Sequence, residues 1–141
     1  EVIEEIKHLI LPEVRLTFIP PVEQYMLNTD KQRFKQILIN LLGNAAKLTR
    51  EGEIRLTFEI EPNLHQIRLS VTDTGCGIPI EKHPHIFDRF EKVNEFVQGA
   101  GLGLAISLLI AQLLKGSLYI DSTYTSGARF VFIHPIGLTN Q

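Results

Sequence analysis

Tryptophan is absent from this chain of 141 residues, and cysteine and methionine occur once each. A lone Cys76 excludes an internal disulfide and leaves no partner for a Cys-x-x-Cys metal cluster, so a reducing compartment and a cytoplasmic location are expected. Long apolar runs are missing too. The longest, Leu102 to Leu114, is interrupted by Ser107 and Gln112 and falls short of the roughly 20 residues that span a bilayer. Neither charge dominates: 14 Lys+Arg oppose 16 Asp+Glu, giving a formal net charge of -2. That removes the broad basic field of a non-specific nucleic-acid binder. We therefore expect no nucleic-acid partner and no direct membrane contact. There is no initiator Met, and Glu1-Val2-Ile3-Glu4-Glu5 carries acid where a signal peptide carries base, so the chain reads as a piece of a longer protein.

What is present is ordinary for a globular domain: 44% hydrophobic and 21% charged residues, enough for one core. Val2, Ile3, Ile6, Leu9 and Ile10 recur at helical spacing until Pro12, a helical lead-in over residues 1–12 to a domain over 13–141. Val14, Leu16 and Phe18 alternate as a half-buried strand, stopped by Pro20-Pro21, and Tyr25-Met26-Leu27 reads as a short strand. Thr29 with Gln32 offers a capping box for a helix running to about Leu48. Its apolar stripe is Phe34, Ile37, Leu38, Leu41, Leu42 and Ala45, while Arg33, Gln36, Asn40, Asn44 and Lys47 share another face. Ile54 to Ile60 and Ile67 to Val71 alternate on either side of Glu61-Pro62-Asn63 and predict an antiparallel hairpin. From Asp73 to Gly101 the pattern gives way to a long loop, the kind that usually carries function. Gly101-Leu102-Gly103 then opens a helix apolar nearly all round, expected to be deeply buried and to end at a C-cap Gly116. Leu118, Ile120 and Phe130, Phe132 supply two last strands around a Ser126-Gly127 turn.

Strand parity sets Asp73 on the side of Ile67, Leu69 and Val71, and a carboxylate among core residues needs a partner. That partner is either its own turn, Asp-Thr-Gly-Cys-Gly, or a ligand amine. Gly75 and Gly77 allow close approach to the backbone, as any turn glycine does. Gly101 and Gly103 stand at a helix N-terminus, where free N–H groups and the dipole favour phosphate. Asn40, Asn44 and Lys47 suit a magnesium triphosphate, since an amide oxygen ligates a hard cation and a Lys neutralises phosphate; a solvated helix face reads the same way.

In this order the pieces resemble the ATP-binding domain of sensor histidine kinases, members of the GHKL ATPase superfamily, from about Arg15 to Pro135. Asn40-Leu-Leu-Gly-Asn44-Ala-Ala-Lys47-Leu-Thr49 resembles the N box and Asp73-Thr-Gly-Cys-Gly77-Ile-Pro the first glycine box. Ile86-Phe87-Asp-Arg-Phe90 resembles the F box and Gly99-Ala-Gly101-Leu-Gly103-Leu-Ala-Ile the second glycine box. The resemblance implies a two-layer α/β sandwich of the Bergerat type, with a mixed, mostly antiparallel sheet packed on helices. It implies ATP and Mg²⁺ as cofactors. Asp73 would bind the adenine amine, Asn44 the metal and Lys47 the phosphates, with Asn40 beside them. Gly75, Gly77 and Ile78 would line the base and sugar, and Gly101, Leu102, Gly103 and Leu104 the phosphates. Arg89 and Lys92 would lie near the triphosphate, in a mobile lid from about Ile80 to Ala100.

The sequence also departs from the family pattern: the stretch from Phe90 to Gly99 is short, Ala100 and Ala128 stand where hydroxyl residues are common, and Leu48 replaces a frequent aromatic. Hydrolysing relatives, such as gyrase and the heat-shock proteins, carry a Glu at the position of Asn40. An amide takes no proton, so transfer to a protein rather than to water is implied. None of His8, His65, His83, His85 or His134 sits in an acceptor box. His83 and His85 read as part of a solvated lid. The implied partners are a phosphoacceptor and dimerisation domain of the same parent, a homodimer, and downstream a response-regulator receiver domain. Two rivals share the pocket: a docking module without transfer, and an anti-sigma-type Ser/Thr kinase, against which the F box argues.

Overall fold

Asp30 starts the longest helix of the computed structural model, which describes residues 7–20, 29–88 and 103–136. Helix α1 spans Lys31–Leu48, and Asp30 Oδ1 accepts from the N–H groups of Gln32 and Arg33 at 3.1 and 3.2 Å. The cap is therefore Asp30 and not Thr29. A carboxylate accepts two orphan donors and adds charge at the positive end of the dipole, which a hydroxyl does not. Thr29 Oγ1 instead lies 2.8 Å from His134 Nε2.

Strand β1 (Val14–Ile19) pairs in parallel with β2 (Gly52–Glu61), which runs antiparallel to β3 (Gln66–Asp73). Helix α2 (Gly103–Leu113) leads to β4 (Ser117–Ile120), and β5 (Ala128–Pro135) inserts between β4 and β3. The sheet order is β1-β2-β3-β5-β4, mixed but mostly antiparallel as expected. Along β3 half-buried and buried residues alternate strictly, which aims Ile67, Leu69, Val71 and Asp73 at the helices. There Leu69 and Val71 join Ile37, Leu38, Leu41, Leu42 and Ala45 of α1 and Phe130 and Phe132 of β5 in one core. Helices on a sheet face make the two-layer sandwich. Gly43 is the glycine of α1, and a Cβ there would meet nothing within 4 Å. Gly43→Ala is expected to raise the unfolding free energy by about 1 kcal/mol in a denaturant titration, the helix-propensity difference.

Three expectations need correction. Helix α2 is not deeply buried: Leu104, Ala105, Ser107 and Ala111 face inward, but Ile106, Leu109 and Leu113 are 43%, 59% and 62% exposed. A two-layer fold covers one face only, and an all-round apolar pattern does not say which. The helix ends in a Schellman motif, with Gly116 N–H on the Ala111 carbonyl at 2.8 Å and Lys115 N–H on that of Gln112 at 3.0 Å. The left-handed residue is Lys115, at φ 67°, while Gly116 is needed because a Cβ there would lie 2.1 Å from the Ile133 carbonyl. Finally, residues 80–88 are not loop throughout, although Ile80, Glu81, Pro84, His85 and Asp88 stay exposed. Ile80–His85 form a 3-10 helix, Ile86 is fully buried, and the Phe87 ring meets that of Phe130 edge-on at 6.1 Å. His83 is held at both nitrogens, 2.8 Å from Ser122 Oγ and 3.0 Å from the Ile78 carbonyl.

Of the lead-in, the described part is a 3-10 turn at Lys7–Leu9, with Ile10 packed on the core. The expected strand at Tyr25-Met26-Leu27 lies outside the described residues. At the far end His134, 4% exposed, packs edge-on against Phe34 and Phe132. Its Nδ1 donates to the Pro135 carbonyl at 2.7 Å, so Nε2 accepts from Thr29. Burial holds this imidazole below its ordinary pKa. The unfolded chain then binds the proton more readily, and stability should fall as pH drops below about 6.5. His134→Gln should flatten that limb in melting temperatures taken between pH 5 and 8.

Candidate functional site

Asp73 ends β3 opposite Ala128 of β5 and Ile54 of β2, at 1% exposure. Its Oδ1 accepts from the N–H groups of Gly75 at 2.9 Å and Ala128 at 3.2 Å, and its carbonyl accepts from the Tyr124 hydroxyl at 3.0 Å. Burial raises its pKa, with the two backbone donors acting in the opposite sense. Both readings of the carboxylate are thus in play: one oxygen serves the turn, and the backbone donors Gly75 and Ala128 both fall on that oxygen. The turn is tight because Gly127, at φ 155°, leaves no room for a side chain, a Cβ there lying 2.0 Å from the Asp73 carbonyl. Arg129 covers it, stacked 4.3 Å over the Tyr124 ring and bonded to Thr72 and Asp121.

The glycine segment caps the end of α1. Cys76 N–H donates to the Leu48 carbonyl at 3.0 Å, and a Cβ on Gly75 would lie 2.1 Å from that same oxygen. Gly77 takes φ 76° with Gly127 behind it, and half-buried Ile78 packs on the core. So Gly75 and Gly77 sit beside Asp73, and their missing side chains are required by the fold itself.

On α1, Asn40 Nδ2 reaches the Gly103 carbonyl at 3.2 Å and Ser107 Oγ at 2.9 Å, while its Oδ1 accepts from Gln36 at 2.9 Å. Asn40 therefore ties α1 to the first turns of α2. Replacing it with Ala should lower stability by about 1–3 kcal/mol in chemical denaturation, mostly from unpaired Ser107. One turn on, half-buried Asn44 keeps Nδ2 buried without a partner, and Lys47 is exposed in the last turn. Gly103 opens α2 with nothing within 4 Å of a Cβ, and Leu104 behind it is buried. Arg89, Lys92, Gly101 and Leu102 lie outside the described residues, as do Phe90 and the rest of the expected lid to Ala100.

The donor set bears on a metal. Among the described residues no three His, Cys, Asp or Glu side chains could hold one. Asn44 offers a single amide oxygen to a hard cation that brings most of its ligands as phosphate oxygens and water, whereas its unpartnered Nδ2 is a donor and ligates no cation. Sequence reasoning does not single out Tyr124: nothing local marks it, since it reaches Asp73 only through the pairing of β3 with β5. No helix among the described residues is long and apolar enough to cross a membrane.

Known proteins share this fold. The model of the family described as histidine kinase-, DNA gyrase B-, and HSP90-like ATPase matches residues 29–138. The chain is 35% identical over 130 residues to hybrid signal transduction histidine kinase B of Dictyostelium discoideum, covering 87% of this chain and 7% of that protein. It is 40% identical over 109 residues to sensor histidine kinase AruS of Pseudomonas aeruginosa, covering 72% and 11%. The chain thus spans about a tenth of the length of these curated relatives. Among solved structures, the catalytic domain of histidine kinase ThkA matches with a TM-score of 0.76 at 30% identity, over 94% of this chain and 84% of that one. Full-length ShkA in complex with AMPPNP matches at 0.77 and 30%, over 95% and 29%. The chain belongs to the histidine kinase-, DNA gyrase B- and HSP90-like ATPase family, on the branch of the sensor histidine kinases.

Proposed function

We propose that this domain binds Mg-ATP between α1, the Asp73 end of β3 and the start of α2, and presents the γ-phosphoryl group to a histidine on a separate phosphoacceptor and dimerisation domain of its parent. The buried Asp73 carboxylate carries the reading: a costly charge, half-used by its own turn, beside a backbone kept bare by Gly75 and Gly77. Asp73 accepts from the adenine amine. Asn44 holds the Mg²⁺, which neutralises charge on the transferring phosphates when bound. Lys47 reaches the phosphates from the exposed end of the same face, joined by Arg89 and Lys92. Gly101, Leu102, Gly103 and Leu104 let the N–H groups of α2 face the anion. Asn40 positions that helix start, and its amide provides no base to activate water. The AMPPNP held by ShkA supports a nucleotide here. In a homodimeric parent, the phosphate passes on to a response-regulator receiver domain.

The isolated domain should bind Mg-ATP in calorimetry without labelling itself. Mixed with an acceptor domain from its parent, it should yield an acid-labile, base-stable phosphoprotein. An acid-stable product would point to a hydroxyl acceptor, and binding without any transfer to the docking module.

A further inference from the structure

One turn grips the glycine segment from two sides. Between β4 and β5, Asp121 Oδ1 accepts from the Thr123 N–H at 3.0 Å and the Asp121 carbonyl from the Tyr124 N–H at 3.2 Å, which fixes the chain locally. From this turn Tyr124 reaches the Asp73 carbonyl, upstream of Gly75 and Gly77, and Ser122 reaches His83, downstream of them. His83 stands on the 3-10 helix Ile80–His85 and passes the contact on, its Nε2 lying 3.0 Å from the Ile78 carbonyl. A carbonyl only accepts, so Nε2 carries the proton and, in the neutral ring, Nδ1 accepts from the Ser122 hydroxyl at 2.8 Å. The upstream half of the segment has other anchors, Thr74 N–H on the Glu53 carbonyl and Cys76 N–H on the Leu48 carbonyl, both at 3.0 Å. Gly77 and Ile78 follow the last of these, and Gly77 stands at φ 76°, where glycine has the most freedom to lose.

We propose that His83 is a positioning residue for nucleotide binding: braced by Ser122, it holds the Gly77–Ile78 backbone in its binding conformation before the nucleotide arrives. The inference rests on the nucleotide reading of the site and adds a residue that sets affinity through the backbone and not through a contact with the ligand. A segment that must first be ordered binds with an affinity reduced by the fraction of molecules already competent, so releasing the brace weakens binding. Ser122 acts through His83, so the two links form one chain, and cutting either releases the same backbone.

The test measures Mg-ADP affinity by calorimetry at a temperature where circular dichroism shows every variant folded, so that a loss of stability alone leaves affinity unchanged. Ser122→Ala should weaken binding by about threefold or more, the value of one net hydrogen bond, and Ser122→Thr, which keeps the hydroxyl, should not. His83→Leu should weaken it further, and adding Ser122→Ala to His83→Leu should cost nothing more, because one link acts through the other. Asp30→Ala is the structural control: it removes the α1 cap at the end of the helix opposite Gly75, and should lower the melting temperature without changing affinity. Wild-type affinity in Ser122→Ala overturns the proposal, even if His83→Leu fails to fold, and so do losses that multiply in the double variant. A loss in Asp30→Ala equal to that in Ser122→Ala makes the effect one of stability and overturns it as well. A wild type that binds no ADP overturns the nucleotide reading itself and this inference with it.

Discussion

Asp73→Asn is expected to weaken Mg-ATP binding by about 10- to 150-fold, the value of a charge-assisted hydrogen bond of roughly 1.5–3 kcal/mol in a buried pocket. The fold should survive, because an amide oxygen can still accept from Gly75 and Ala128. What changes is the other end: an amide N–H now meets the ligand's own N–H. Stability should move the opposite way. Burial raises the pKa of Asp73, so the folded state binds its proton more tightly than the unfolded chain does. The stability linked to that proton is present below the ordinary carboxylate pKa, about 3.9, and is lost as pH rises through the raised value. At neutral pH the empty wild-type domain bears this cost, and Asp73→Asn does not. Melting curves from pH 4 to 8 should show the variant gaining on wild type as pH rises, while calorimetry shows it losing the nucleotide. Asp73→Ala separates the two roles, since it strands both backbone donors and should unfold more readily at every pH.

Gly75→Ala is the second large effect. Its Cβ would lie 2.1 Å from the Leu48 carbonyl and 2.8 Å from both the Leu48 carbonyl carbon and Thr49 Oγ1. Backbone cannot yield as a side-chain tip can, so the end of α1 and the glycine segment must part. The Cys76–Leu48 hydrogen bond is lost with them. Overpacking of this kind costs about 1–3 kcal/mol. Nucleotide affinity should fall as well, because the same shift draws Gly75 N–H off Asp73. Gly43→Ala is the control: the same added methyl, placed within α1, meeting open space. Paired denaturant titrations should give shifts of opposite sign.

Local pattern made much of this legible. The parity of Ile67, Leu69, Val71 and Asp73 placed a carboxylate in the core, and two short hairpins gave four of the five strands. Parity cannot supply partners, however. That Ala128, 55 positions away in sequence, donates to Asp73 depends on β5 lying beside β3, and nothing in either strand specifies the other. The parallel pairing of β1 with β2 was equally silent, because a crossover carries no turn signal. Capping went wrong where two candidates stood side by side, Thr29 and Asp30, and the carboxylate prevailed. Helix α2 was misjudged because composition reports how much apolar surface exists, not how much of it a neighbour covers.

The strand order has a consequence for the order in which the molecule comes apart. Strands β3 and β5 are each paired on both sides, whereas β1 and β4 lie at the margins, and β4 has only four residues. Edge amides open by local fraying, and central ones require the sheet to break. Deuterium should therefore enter β1 and β4 first and reach Leu69, Val71, Phe130 and Phe132 last. The carboxylate assigned to the base hangs from the segment that exchanges slowest, so the domain can breathe at its rim while its recognition centre stays formed.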